Sequence, residues 1–125
     1  MNKPPKRIVA AAGDLLFTVK ITDAAKRAGL EVDFVKTDKE LLEKAKLQPA
    51  LILLDLTFAG VQPLKVIGKL KGDSEMKRVP LIAYVPPEQG QLKQKAHEAG
   101  CNMVLTRAAL SQNLPQLLKR HTEQP

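Results

Sequence analysis

The chain alternates short aliphatic blocks with polar stretches of helical spacing. The most solid block is Leu51-Ile52-Leu53-Leu54, which runs into Asp55 and Leu56. Four aliphatic residues in a row read as a strand buried on both faces, the habit of a parallel sheet. Ile8-Val9-Ala10-Ala11-Ala12, ended by Gly13, reads as a first strand. Leu30-Glu31-Val32-Asp33-Phe34-Val35 alternates, which predicts a strand with one wetter face, near an edge of the sheet. Pro80 opens a fourth strand, Leu81-Ile82-Ala83-Tyr84-Val85, which Pro86-Pro87 stops, and Met103-Val104-Leu105 forms a fifth.

The stretches between these blocks carry helix signals. Phe17, Ile21, Ala24 and Ala28 fall on one helical face, with Asp14 placed to cap the start and Gly29 to end it. Thr37-Asp38-Lys39-Glu40 has the capping-box pattern and precedes a short helix through Leu41, Leu42 and Ala45. Leu64, Ile67, Gly68 and Leu70 make a third helix ending near Gly72, and a polar fourth runs from Glu88 to Ala99. The last helix buries Leu114, Leu117 and Leu118. Its start is expected at about Ser111 or Asn113, because Pro115 fits only a first helical turn.

Strands alternating with helices predict a single α/β domain over residues 6–121, with flexible tails at 1–5 and 122–125. At this length the expected architecture is a (βα)5, doubly wound, five-stranded parallel sheet in the flavodoxin-like order 2-1-3-4-5. Such sheets bind ligands outside the carboxyl ends of their strands, at the point where the strand order reverses. Asp55 ends the central strand there, facing Gly13 and Asp14, and is the first candidate for chemistry.

Composition narrows the function classes. The 125 residues are 44% hydrophobic and 26% charged, ordinary for a globular domain. No apolar stretch approaches the roughly 20 residues of a membrane span, and the basic start has neither the apolar run nor the cleavage site of a signal peptide. A single cysteine, Cys101, rules out an internal disulfide framework and suits the cytoplasm. The net charge of +7 permits contact with an acidic surface such as nucleic acid, but the basic residues are dispersed. Three Phe, one Tyr and no Trp offer no platform for stacked bases. His97 and His121 lack partners at metal spacing, Ser74 and Ser111 sit in no nucleophile elbow, and Gly13 belongs to no phosphate-binding glycine motif.

The chain resembles the receiver domain of two-component response regulators over nearly its whole length. The likeness is carried by Arg7-Ile8-Val9, by Ala50 to Leu56 followed by Gly60, by Val79-Pro80-Leu81-Ile82-Ala83, and by Ala99-Gly100-Cys101 leading to Leu105-Thr106-Arg107. The resemblance implies that Asp55 accepts a phosphoryl group from a histidine kinase, with Mg²⁺ neutralising the developing charge. The chain departs from the pattern at the working positions. Ala12 and Gly13 replace the acidic pair, Val85 a hydroxyl residue, Val104 an aromatic switch, and Arg107-Ala108 a Lys-Pro. Magnesium would be left with Asp14, Asp55, the Thr57 carbonyl and waters.

Three functions follow as expectations. The first is a stand-alone, degenerate receiver that signals through protein–protein contact and performs no enzymatic reaction, with phosphorylation vestigial and Asp55 held by Arg107 or by backbone N–H groups. The resemblance places its partner surface on the fourth helix, fifth strand and fifth helix, with Gln91, Lys95, Arg107 and Lys119. The second is a working phosphoacceptor that catalyses Mg²⁺-dependent phosphoryl transfer to its own Asp55. The third is a basic, nucleic-acid-associated accessory protein. No membrane partner is expected.

Overall fold

In a computed structural model of the chain, residues 6–122 are described. The tails expected at 1–5 and 122–125 lie outside them, apart from Thr122, which ends the last helix. The element order is β1 (Arg7–Ala11), α1 (Leu15–Arg27), β2 (Glu31–Phe34), α2 (Asp38–Ala45), β3 (Leu51–Asp55), α3 (Pro63–Gly72), a 3₁₀ turn (Met76–Arg78), β4 (Leu81–Val85), α4 (Gly90–Glu98), β5 (Met103–Thr106) and α5 (Arg107–Thr122). All strands pair in parallel in the order β2-β1-β3-β4-β5. The alternating strand β2 does lie at an edge.

Period-two alternation sends neighbouring side chains of each strand into two separate cores. Val9, Ile52, Leu54, Leu81 and Ala83 pack under α2, α3 and α4 with Leu41, Val66, Ile67, Leu70 and Ala96. Ile8, Leu51, Leu53, Ile82 and Tyr84 pack under α1 and α5 with Phe17, Ile21, Leu110, Leu114 and Leu118. The central strands β3 and β4 are buried along their whole length, which is why they read as unbroken aliphatic runs.

The capping signals hold. Asp14 Oδ1 accepts from Leu16 N and Phe17 N, and Thr37 Oγ1 accepts from Glu40 N. Gly29 adopts φ 76° after α1, the left-handed conformation that favours glycine at a helix end. At the opposite end of the sheet, Lys71 Nζ donates to the carbonyls of Lys77 and Val79 and to Asn102 Oδ1 at 2.7 Å. Asn102 Oδ1 also accepts from Leu81 N, so one amide ties α3 to the starts of β4 and β5. Burial lowers the Lys71 pKa.

The last helix corrects an expectation. It begins at Arg107, directly after β5, and Pro115 lies inside it. Thr106 Oγ1 accepts from Ala109 N and supplies the start that the sequence reading sought further on. An interior proline costs about 3 kcal/mol. Burying Leu110, Leu114, Leu117 and Leu118 at about 1.5–3 kcal/mol each outweighs that cost. No helix among the described residues is long and apolar enough to cross a membrane.

Candidate functional site

The carboxyl ends of β1, β3, β4 and β5 bring Asp14, Asp55, Thr57, Tyr84 and Arg107 to one crevice. Asp55 and Tyr84 are register partners on β3 and β4. Both follow the alternation of the α1/α5 face, so their side chains stand next to each other in the sheet. Asp55 is the one buried charged residue among the described residues, with 3% of its surface exposed. Its Oδ1 accepts from Thr57 N at 2.9 Å and from Thr57 Oγ1 at 2.8 Å, and its Oδ2 takes no hydrogen bond among the described residues. Thr57 thus meets Asp55 through its amide and hydroxyl.

Arg107 reaches Asp14. Its Nη1 donates to Asp14 Oδ2 at 2.9 Å, and its guanidinium carbon lies 5.9 Å from the centre of the Phe17 ring. Being the first residue of α5, Arg107 sits where the positive helix end disfavours a cation, and Asp14 offsets that. Asp55 therefore meets backbone and hydroxyl donors, while the charge expected beside it is paired with Asp14. Both oxygens of Asp14 are engaged, one by Arg107 and one by the cap of α1.

Two residues that the sequence reading passed over shape the crevice. Tyr84 is fully buried, its ring centre 4.7 Å from that of Phe17, and its hydroxyl has no hydrogen-bond partner among the described residues. Burial, with the charge of Asp55 second, drives its pKa far up. Arg107 Nε is likewise buried without a partner among the described residues. Phe58 covers the end of β1: a Cβ on Gly13 would lie 2.8 Å from its ring. A Cβ on Gly60 would run into the Lys36 carbonyl oxygen, so close approach of backbone dictates that glycine, whereas at Gly13 the Phe58 ring would have to shift. The aliphatic neighbourhood of Tyr84 left no mark in the sequence to single it out from core.

The replaced positions are packed elsewhere. Val85 and Val104 are buried in the core beneath α2, α3 and α4. Among the described residues, no group of three or more His, Cys, Asp or Glu side chains is placed to hold a metal. His97 is exposed, and burial lowers the His121 pKa. Cys101 is buried, and burial pushes its thiol pKa up, as in an inert core thiol. Gln91, Lys95 and Lys119 are exposed and Arg107 is half-buried. A cavity of about 500 Å³ opens between α4 and β5, lined by Gly90, Lys93, Gln94, His97, Met103 and Val104 among others. The most exposed large apolar side chains are Leu15, Leu16 and Leu47, with Val19 next.

No protein-family model and no curated protein matches the chain. Its structure is nonetheless close to many solved ones. A response regulator in red light signalling of R. palustris superposes with a TM-score of 0.77 at 20% identity, covering 91% of this chain and 92% of that one. The receiver domain of a sensor histidine kinase from Pseudomonas aeruginosa, solved with a magnesium ion coordinated in its active site cleft, gives 0.79 at 18%, covering 94% and 97%. A chemotaxis response regulator of Vibrio cholerae gives 0.78 at 18%, covering 94% and 99%. At these identities the likeness speaks for the backbone architecture: the chain has the flavodoxin-like fold of response regulator receiver domains.

Proposed function

We propose that this protein is a receiver-like module of two-component signalling that works in the cytoplasm through protein–protein contact, with phosphorylation of Asp55 vestigial. The carrying observation is the ion pair between Arg107 and Asp14, which commits the crevice's cation and its second carboxylate to each other. Phosphoryl transfer relies on cations aimed at the charge that develops. Here Arg107 donates to Asp14 and makes no hydrogen bond to Asp55.

The residues present do not fit a magnesium ion. A hard cation needs oxygen ligands with free lone pairs in near-octahedral array. Asp14 accepts on both oxygens, from Arg107 and from the α1 cap, and Asp55 Oδ1 accepts twice from Thr57, so Asp55 Oδ2 is the one oxygen of the two carboxylates without a donor among the described residues. Ala12 and Gly13 add no carboxylate, and Phe58 lies against Gly13.

The partner surface in this reading is α4, β5 and α5. The α4–β5 cavity offers a seat for an apolar side chain, and α5 carries no acidic residue along its length. Both features favour a protein partner with an apolar anchor and acidic flanks. The competing reading, a working phosphoacceptor that receives its phosphoryl group from a histidine kinase, is favoured by one observation: Asp55 Oδ2 is without a hydrogen bond among the described residues.

An NMR titration of the labelled protein with beryllofluoride and Mg²⁺ separates the two. We expect amide signals across α4, β5 and α5 to stay in place. Saturable shifts spreading from Asp55 to Lys95 and Lys119 would favour the phosphoacceptor.

A further inference from the structure

Three polar atoms of the crevice lack hydrogen-bond partners among the described residues: Tyr84 Oη, Arg107 Nε and Asp55 Oδ2. The first two are fully shielded from solvent, and a buried polar group left unpaired is unfavourable enough to be rare. The three complement one another: Arg107 Nε can only donate, Tyr84 Oη can accept and donate, and Asp55 Oδ2 can only accept. Register puts Tyr84 beside Asp55, and Phe17 lies against both the Tyr84 ring and the Arg107 guanidinium.

We propose that Arg107 has two seats, Asp14 as seen here and a second on the Tyr84 hydroxyl. In the second seat Arg107 Nε–H donates to Tyr84 Oη and Tyr84 O–H donates to Asp55 Oδ2. Both buried orphans are then satisfied, Asp55 Oδ2 gains a donor, and the guanidinium charge stands near Asp55. The face of the Phe17 ring is the surface along which the guanidinium moves. Asp14 is thus an inhibitory anion that withholds the charge partner of Asp55, and Tyr84 is a positioning residue that relays Arg107 to it. The inference rests on the reading of this crevice as the functional site, but requires no phosphorylation.

The test is a double-mutant cycle with Asp14→Asn and Tyr84→Phe. Asparagine keeps the α1 cap while removing the charge that holds Arg107. In the native background the Tyr84 hydroxyl has no partner among the described residues, so Tyr84→Phe should leave the urea midpoint unchanged or raise it. In the Asp14→Asn background the hydroxyl is in use, so Tyr84→Phe should lower the midpoint. A second readout is exchange of the Arg107 Nε proton by NMR, assigned through its loss in Arg107→Lys. It should slow about twofold in Asp14→Asn, the factor that a screened ion pair can supply, and return to the native rate in the double variant. Equal midpoint changes in both backgrounds, or an exchange rate indifferent to Tyr84, would overturn the second seat. Should Asp14→Asn fold poorly, Asp14→Ser retains a capping oxygen and serves in the same cycle. Both readouts are independent of any phosphoryl adduct, so failure here and failure of the proposed function are told apart.

Discussion

Asp14 holds the start of α1 and the start of α5 at once: its Oδ1 caps α1 while its Oδ2 receives Arg107 Nη1 at 2.9 Å. The two side chains are 33% and 37% exposed, so solvent screens the ion pair to about 0.5 kcal/mol, whereas the cap is worth about 1 kcal/mol. We expect Asp14→Ala to cost about 1–2 kcal/mol in urea unfolding and Asp14→Asn less than half of that, because asparagine still caps. Equal losses would mean that charge, not capping, dominates.

Pro115 lies on the exposed side of α5, where it withholds one helical N–H from the carbonyl of Ser111. Pro115→Ala should restore that bond without disturbing the four buried leucines. A gain of about 1–3 kcal/mol is expected, seen in thermal unfolding as a rise of several degrees in Tm. A lower Tm would show that the proline sets a bend the packing requires.

At the opposite pole, Arg7 holds Asp33 through two bonds, Nε to Oδ2 at 2.9 Å and Nη2 to Oδ1 at 2.6 Å. The Arg7 hydrogen bond keeps the Asp33 pKa below its ordinary 3.8. As acid is added, the unfolded chain therefore binds that proton first. The stabilisation is complete above the ordinary pKa and lost as pH falls through the folded one. Asp33→Asn should lose stability less steeply than the native protein between about pH 4 and pH 2. Parallel acid limbs for the two proteins would contradict this.

The amide of Asn102 is shared between Lys71 Nζ and Leu81 N. Asn102→Ala leaves a backbone N–H at the start of a central strand and a half-buried ammonium without their common acceptor. A cost of about 1–3 kcal/mol is expected, with amide exchange accelerating first at Leu81. Uniform acceleration across the sheet would mean that the amide stabilises the whole domain without local effect.

The fold was legible because β3 and β4 are buried on both faces and so are written as unbroken aliphatic runs, while caps such as Asp14 and Thr37 punctuate the chain. Pro115 misled because a local rule about one missing N–H was weighed without the four leucines whose burial outweighs it. At the site, Asp55 was legible as a charge at the end of an apolar run. The pairing of Arg107 with Asp14 was not, because those residues are 93 positions apart and meet only when β5 runs straight into α5. Tyr84 was read as a strand end because aromatic residues in buried strands are ordinary. Only three dimensions show that its hydroxyl lacks a partner among the described residues.

Incubation with acetyl phosphate and Mg²⁺, followed by intact mass on the native protein and on Asp55→Asn, puts the crevice to its simplest trial. We expect no phosphoryl adduct on the folded native protein, since Arg107 is paired with Asp14 and neither Ala12 nor Gly13 supplies a carboxylate for the metal. A stoichiometric adduct present on the native protein and missing from Asp55→Asn would contradict a phosphorylation-independent module and make this a working receiver.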